Sequence, residues 1–182
     1  MAIFKANYVK RGDGEKRRAK ATIRYMQNRR GKDGEKLQRQ LFGTDGPLER
    51  AEAYSVIDEA TAGSIFFRFI VSPDPASEDL GDDLDMRDVT HRTMLKLNER
   101  FNTPVLWMAA LHADHAPHRH VHILSVVPGR LNVQDFERFR AEATAACLEQ
   151  RVELDYALQL QQQEREQEAW QEWHEAAWEL SL

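Results

Sequence analysis

Residues 104–127 read PVLWMAALHADHAPHRHVHILSVV. Two runs rich in β-branched, aromatic and small apolar residues, 104–113 and 119–127, flank the short polar connection 114–118, which predicts an antiparallel hairpin. In the register that sets His112 opposite His120, Ala110 falls opposite His122. Side chains alternate along a strand, so His112, His120 and His122 share one face, while Trp107, Ala109, Leu111, Val121 and Ile123 share the other. The second face needs a helix to cover it. The first gathers imidazoles, and the small Ala110 leaves them room.

Five of the seven histidines lie between residues 112 and 122. Three neutral imidazoles at one apex can hold a divalent metal and leave coordination positions open, which a catalytic ion needs and a structural zinc lacks. Asp114 follows His112 by two residues, where a carboxylate can accept the second ring N–H of a ligand histidine and fix its tautomer. His118 has the parity of His120 and competes for a place among the ligands; His115 lies in the turn, in solvent. No acidic residue stands at 123 or 124, which argues against an HxHxDH zinc-hydrolase pattern. A lone cysteine, Cys147, excludes an internal disulfide framework and any multi-cysteine zinc site.

Elsewhere the patterning predicts an α+β fold: one central, largely antiparallel sheet flanked by helices, with the metal site on the two-strand hairpin. Residues 2–9 read as a strand. Residues 16–30 read as a helix with Ala19, Thr22, Ile23 and Met26 on one face and Gly31 as its C-cap. Residues 35–43 fit a short strand or a helical piece, and 47–61 a helix with Pro47 in its first turn. The run GSIFFRFIVSPDP (63–75) reads as a central strand buried on both faces. Helices are expected over 86–101 and from 132 to about 160. Residues 1–150 form the domain; 151–182 are a helical, acidic tail carrying Trp170, Trp173 and Trp178, amphipathic enough to dock on the domain or on a partner, and docked on the domain it would compete with DNA for the basic block described next.

The formal net charge of −5 is unevenly spread. Residues 1–50 carry fourteen Lys/Arg against six Asp/Glu, a net of +8, whereas residues 151–182 carry two against eight, a net of −6. A basic N-terminal block is a local electrostatic footprint for a polyanion, or simply a solvated helix face. No run approaches the ~18 apolar residues of a membrane span, and the N-terminus lacks a signal-peptide pattern. A cytoplasmic setting is the expectation.

His112-Ala-Asp114 followed by His120-Val121-His122-Ile-Leu resembles the histidine motif of the HUH endonuclease superfamily, and within it the relaxases that mobilise plasmids and integrative elements. ATIRYMQNRR (21–30) resembles their N-terminal tyrosine motif, and FFRFIVSPDP (66–75) their middle strand with its serine before prolines. The resemblance covers about residues 1–150. It implies a metal-dependent, site-specific single-stranded DNA endonuclease and strand transferase. Tyr25 would be the nucleophile, with Tyr8 and then Tyr54 as alternatives, and the product a 5′-phosphotyrosine. It implies one Mg²⁺ or Mn²⁺, DNA at a transfer origin as substrate, and accessory relaxosome proteins as partners. Arg17, Arg18, Lys20, Arg24, Arg29 and Arg30 would neutralise phosphates. Ser72 and His118 would touch the DNA, and Phe4, Phe42 or Tyr8 would offer stacking surfaces unless they serve the core. A replication initiator or transposase of the same superfamily, a non-catalytic nucleic-acid-binding protein of that fold, and an unrelated histidine-zinc protein are the competing readings. The upstream position of Tyr25 favours the relaxase.

Overall fold

The computed structural model describes residues 1–114 and 118–179, with side chains to residue 174. The elements are β1 (Ile3–Tyr8), α1 (Glu15–Asn28), β2 (Leu41–Gly43), β3 (Gly46–Leu48), α2 (Arg50–Glu59), β4 (Ile65–Ser72), α3 (Met86–Phe101), β5 (Leu106–His112), β6 (His120–Val127) and α4 (Val133–Glu179). The six strands form one sheet in the order β1-β4-β6-β5-β2-β3, every neighbouring pair antiparallel. The α+β class and the antiparallel sheet flanked by helices are as expected.

The sheet separates two cores. On one face Phe4, Phe67, Phe69, Trp107, Ala109, Val121 and Ile123 pack under α3 and α4, which contribute Val89, Met94 and Leu97, and Phe139, Ala143 and Cys147. On the other face Leu41, Phe66, Met108, Ala110 and Leu124 pack under Ala19, Ile23 and Met26 of α1 and Ala53 and Ile57 of α2. The near-continuous apolar run of β4 follows from this arrangement. It lies between β1 and β6 and buries Phe67, Phe69 and Val71 on one side and Phe66 on the other. Burial drives the Cys147 thiol up to about 12, so it is an inert core residue.

Local chemistry sets the element ends. Gly14 precedes α1 at φ 78°, a backbone that a side chain would strain. The Arg18 guanidinium ties this turn down by donating to the carbonyls of Lys10 (2.6 Å) and Asp13 (2.9 Å). Asp85 caps α3 by accepting from the amides of Arg87 and Asp88. Asn132 and Asp135 cap α4 reciprocally, each side chain accepting from the other's amide.

Four expectations shift. The 35–43 segment yields only the three-residue β2, which turns into β3; strands this short carry no readable period. Pro47 sits in β3, at the sheet edge, where a missing N–H costs no ladder bond. Helix α2 therefore starts at Arg50, with a capping box between Glu49 and Glu52. Gly31 does not cap α1: the helix stops at Asn28, and Arg29 turns extended while its amide still donates to Tyr25. Finally, the tail does not fold back. Helix α4 runs unbroken to Glu179, its packing ends near Arg151 and Leu154, and Trp170 and Trp173 stand 61% and 66% exposed. Among the described residues, the competition expected between a docked tail and the basic block therefore has no contact behind it. The expectations for His115 and for the Trp178 side chain lie outside the described residues. No helix among the described residues is long and apolar enough to cross a membrane.

Phe69 joins β4 to α4 and β1: it stacks on Phe67 at 5.7 Å and meets Phe4 and Phe139 at 5.3 and 6.2 Å. Phe69→Ala should lower the unfolding free energy by about 3–5 kcal/mol, read from the denaturant midpoint at constant m-value.

Candidate metal centre and adjoining cleft

β5 and β6 pair in the register His112↔His120 and Ala110↔His122. The three imidazoles meet on the face that carries α1 and α2. Their ring centroids are 4.6 Å (112–122), 5.0 Å (120–122) and 5.4 Å (112–120) apart. One nitrogen from each lies within 4.8 Å of the other two, and this is a group that could hold a metal ion. His118 is exposed and is not part of the group. Its carbonyl instead accepts from His120 Nδ1 at 3.2 Å.

Hydrogen bonding selects the tautomers. His112 Nε2 is 2.8 Å from the carbonyl of Met26, and a carbonyl only accepts, so Nε2 carries the proton and Nδ1 keeps its lone pair. By the same reasoning His120 Nδ1 is the donor to His118 and its Nε2 remains open. His112 Nδ1 and His122 Nε2 are buried without a hydrogen-bond partner among the described residues. Buried polar atoms are rarely left unsatisfied, and two basic nitrogens at one point fit a cation as their missing partner. Protons do not compete near neutral pH. Burial pushes His112 down to about 4, and burial together with the neighbouring histidines and Arg29 pushes His122 down to about 3. His120 is lowered in the same way, again chiefly by burial.

Asp114 has a different role from the one expected. Rather than accepting from a ligand histidine, it takes both prongs of Arg39: Nη2 donates to Oδ1 and Oδ2 at 2.6 and 2.7 Å, and Nε to Oδ2 at 3.1 Å. The Met26 carbonyl has the orienting task, because α1 passes closer to His112 than the loop carboxylate does. Burial would raise the Asp114 carboxyl, but the bonds and charge of Arg39 outweigh it and hold it below the usual carboxylate range.

Helix α1 also brings Tyr25 to the site. Its ring is 5.7 Å from His122, edge-on, and 6.4 Å from His112, with the Arg29 guanidinium 5.4 Å over its face. Tyr25 is 46% exposed, so it is accessible from outside. Tyr54 lies on α2, under Lys20.

A cleft of about 690 Å³ opens beside Tyr25 and His122. Its floor is the part of β1 and β4 left uncovered by α1, where Lys5 pairs with Ile70, Asn7 with Arg68, and Ile70 leads on to His122. Lys5, Lys10, Arg18 and Arg68 line it with Tyr8 and Tyr25, and among the described residues no carboxylate does. In a chain with thirty acidic residues, that is a marked local excess of positive charge.

The residues expected to meet DNA are scattered by the fold. Arg18 lines the cleft while bracing the turn before α1. Arg29 is at Tyr25. Lys20 is turned away, paired with Asp58 at 2.6 Å. Arg30 donates to the carbonyl of Gly34. Arg17 and Arg24 are exposed on α1. Ser72 Oγ donates to the carbonyl of Arg119 at 3.1 Å, which ties β4 to the start of β6. Phe4 and Phe42 are core residues, whereas Tyr8 is 62% exposed at the cleft.

Sequence reasoning missed Lys5, Arg68 and Arg39. The first two had a signal: a lone arginine inside the apolar IFFRFIVS, and Lys5 and Asn7 at one parity of β1, mark a sheet face that nothing covers. Arg39 had none, because its partners are distant in sequence.

Comparison with known protein families, with characterised proteins and with solved structures finds no match for this chain.

The depressed histidine pKa values make a prediction about stability. The unfolded chain takes up protons near 6.5, whereas the folded, metal-free chain resists until about 4 or below. Stability should therefore be fully present above pH 6.5 and fall as pH drops from there toward 4. Thermal unfolding in a chelator at pH 7 and pH 5 checks this: the drop should be smaller in His122→Gln, and equal drops in the two proteins would refute it.

Proposed function

We propose that the protein is a metal-dependent enzyme that nicks and rejoins single-stranded DNA through Tyr25, in the manner of a relaxase. The observation that carries the reading is the juxtaposition of Tyr25 with His112 and His122. Residues 25, 112 and 122 come from three separate elements, and a tyrosine serving only to pack would not need to stand half-exposed over a metal-competent cluster.

His112, His120 and His122 would hold one divalent ion. Such an ion supplies Lewis-acid polarisation of a non-bridging phosphate oxygen, and imidazole ligands suit Mn²⁺ better than Mg²⁺. The chain's own residues do the rest. The Tyr25 phenol oxygen attacks phosphorus in line; its P–O bond forms as the bond from phosphorus to the 3′ oxygen breaks. The proton lost from Tyr25 Oη is balanced by the one gained at the released 3′-hydroxyl. One phosphodiester replaces another, so the strand can be resealed by the reverse step without an external energy source. Arg29 adds positive charge beside the phosphate. Lys5, Lys10, Arg18 and Arg68 hold the strand by its backbone across the bare sheet face, and Tyr8 offers a base a stacking surface. Transfer-origin DNA, accessory relaxosome proteins and a cytoplasmic setting belong to this proposal.

A denaturing-gel adduct assay tests it. The substrates are single-stranded oligonucleotides tiling the DNA that flanks the gene, with Mn²⁺ present. Wild type should form a covalent protein–DNA band, absent in Tyr25→Phe and in His120→Ala. A band that survives Tyr25→Phe and vanishes in Tyr8→Phe would move the nucleophile to the other tyrosine of the cleft. DNA binding without any adduct would favour a non-catalytic binding protein.

Binding itself has a salt signature. On single strands each phosphate contact contributes about 0.7 to the slope of log K against log salt. Lys5→Gln with Arg68→Gln should therefore flatten the slope by about 1.4, while Lys20→Gln, which faces α2, should leave it unchanged. Fluorescence anisotropy across a salt series gives both numbers.

A further inference from the structure

The nucleophile and the metal ligands sit on elements far apart in sequence, so something must hold them in register. Met26 touches His112 directly, but one hydrogen bond at the end of a helix does not fix a helix. The stretch after α1 does more. Arg39, whose side chain is 8% exposed, is bonded in three directions. Its Nε and Nη2 grip Asp114, two residues beyond His112. Its Nη1 donates to the carbonyl of Arg29 at 2.7 Å, and the Arg29 side chain covers the Tyr25 ring. Its backbone amide donates to the carbonyl of Gln27 at 2.9 Å, just before the end of α1. Lys32, in the same loop, donates its amide to the carbonyl of Asp114 at 3.3 Å.

We infer that Arg39 is a positioning residue that locks the C-terminal end of α1, and with it Tyr25 and Arg29, to the end of β5 that carries His112. The inference rests on the proposed function only in taking Tyr25 and the histidines as one site. A guanidinium suits the task because its planar fork delivers donors in fixed directions: one edge to a carboxylate, the remaining nitrogen to a carbonyl. Lysine has the charge without the fork, so it can keep Asp114 or the Arg29 carbonyl but not both. The pair is also shielded: Asp114 is 32% exposed and Arg39 hardly at all, so it is less screened than a surface ion pair.

The test uses metal-free and Mn²⁺-loaded protein and needs no DNA. In the metal-free wild type, Tyr25 and His122 ring protons should give a nuclear Overhauser contact, since their ring centroids are 5.7 Å apart. Arg39→Gln and Arg39→Lys should both lose most of that contact while core methyl shifts around Phe69 stay in place. Asp114→Asn, a milder change in case Arg39→Gln fails to fold, should weaken it. Mn²⁺ affinity by calorimetry should fall about tenfold in Arg39→Gln. A Tyr25–His122 contact of wild-type strength in both Arg39 variants would overturn the inference, as would full restoration by lysine, which would reduce the role to charge alone. Wild type that binds no Mn²⁺ would sink the metal reading and leave the ring contact to decide on Arg39.

Discussion

The pairing of β5 with β6 is the constraint on which everything else in this molecule rests. In the register His112↔His120, one face of the hairpin is apolar except for Ser125 and the other gathers three imidazoles. A slip by one residue would exchange the faces. It would turn the histidines toward α3 and α4 and carry Trp107 and Val121 to the face of α1 and α2. The hydrophobic drive on the α3–α4 side therefore enforces the geometry of the three-histidine cluster on the other side, and no separate device is needed to align the imidazoles. Burial on that second side then keeps the imidazoles neutral, so the force that assembles the core also prepares the ligands for a cation.

The sheet is incompletely covered, and that incompleteness is where function becomes available. Helices α1 and α2 cover β2, β5 and β6 but leave the outer strip of β1 and β4 bare. An uncovered strip of sheet must present polar residues, and here these are Lys5, Asn7 and Arg68 with no acid among the lining residues. The strip ends at His122 and Tyr25. Arg39 bonds the end of the helix that carries Tyr25 to the loop beyond the strand that carries His112.

Much of this was legible in the residues themselves. The alternation in LWMAALH and HVHILSVV determined the hairpin, its register and the three-histidine face, because strand parity is a local property. The 3–4 spacing of Ala19, Ile23 and Met26 determined α1 and the face it buries, whereas Tyr25 was singled out by the resemblance of its stretch to a relaxase motif and its exposure came from the fold. The apolar run of β4 determined an interior strand. Short elements were not legible. LFG and GPL are too brief to show a period, so Pro47 was read into a helix when it belongs to an edge strand.

What only the tertiary structure decided are the meetings between distant residues. A sequence pattern places a side chain on a face of its own element; which face of which other element lies opposite depends on how the layers pack. Asp114 was legible as a carboxylate near a ligand, but packing gave it to Arg39, seventy-five residues away, and gave the orienting role to the Met26 carbonyl. Lys20 and Arg29 look alike in a basic run; the rotation of α1 set by Ile23 and Met26 turned Lys20 toward Asp58, and the extended turn after the helix laid Arg29 over Tyr25. The sequence by itself determined the three-histidine cluster, because those residues are neighbours on one hairpin. The placing of Tyr25 beside the histidines, the cationic floor and the arginine that ties α1 to β5 were decided in three dimensions, because each depends on contacts that no local period encodes.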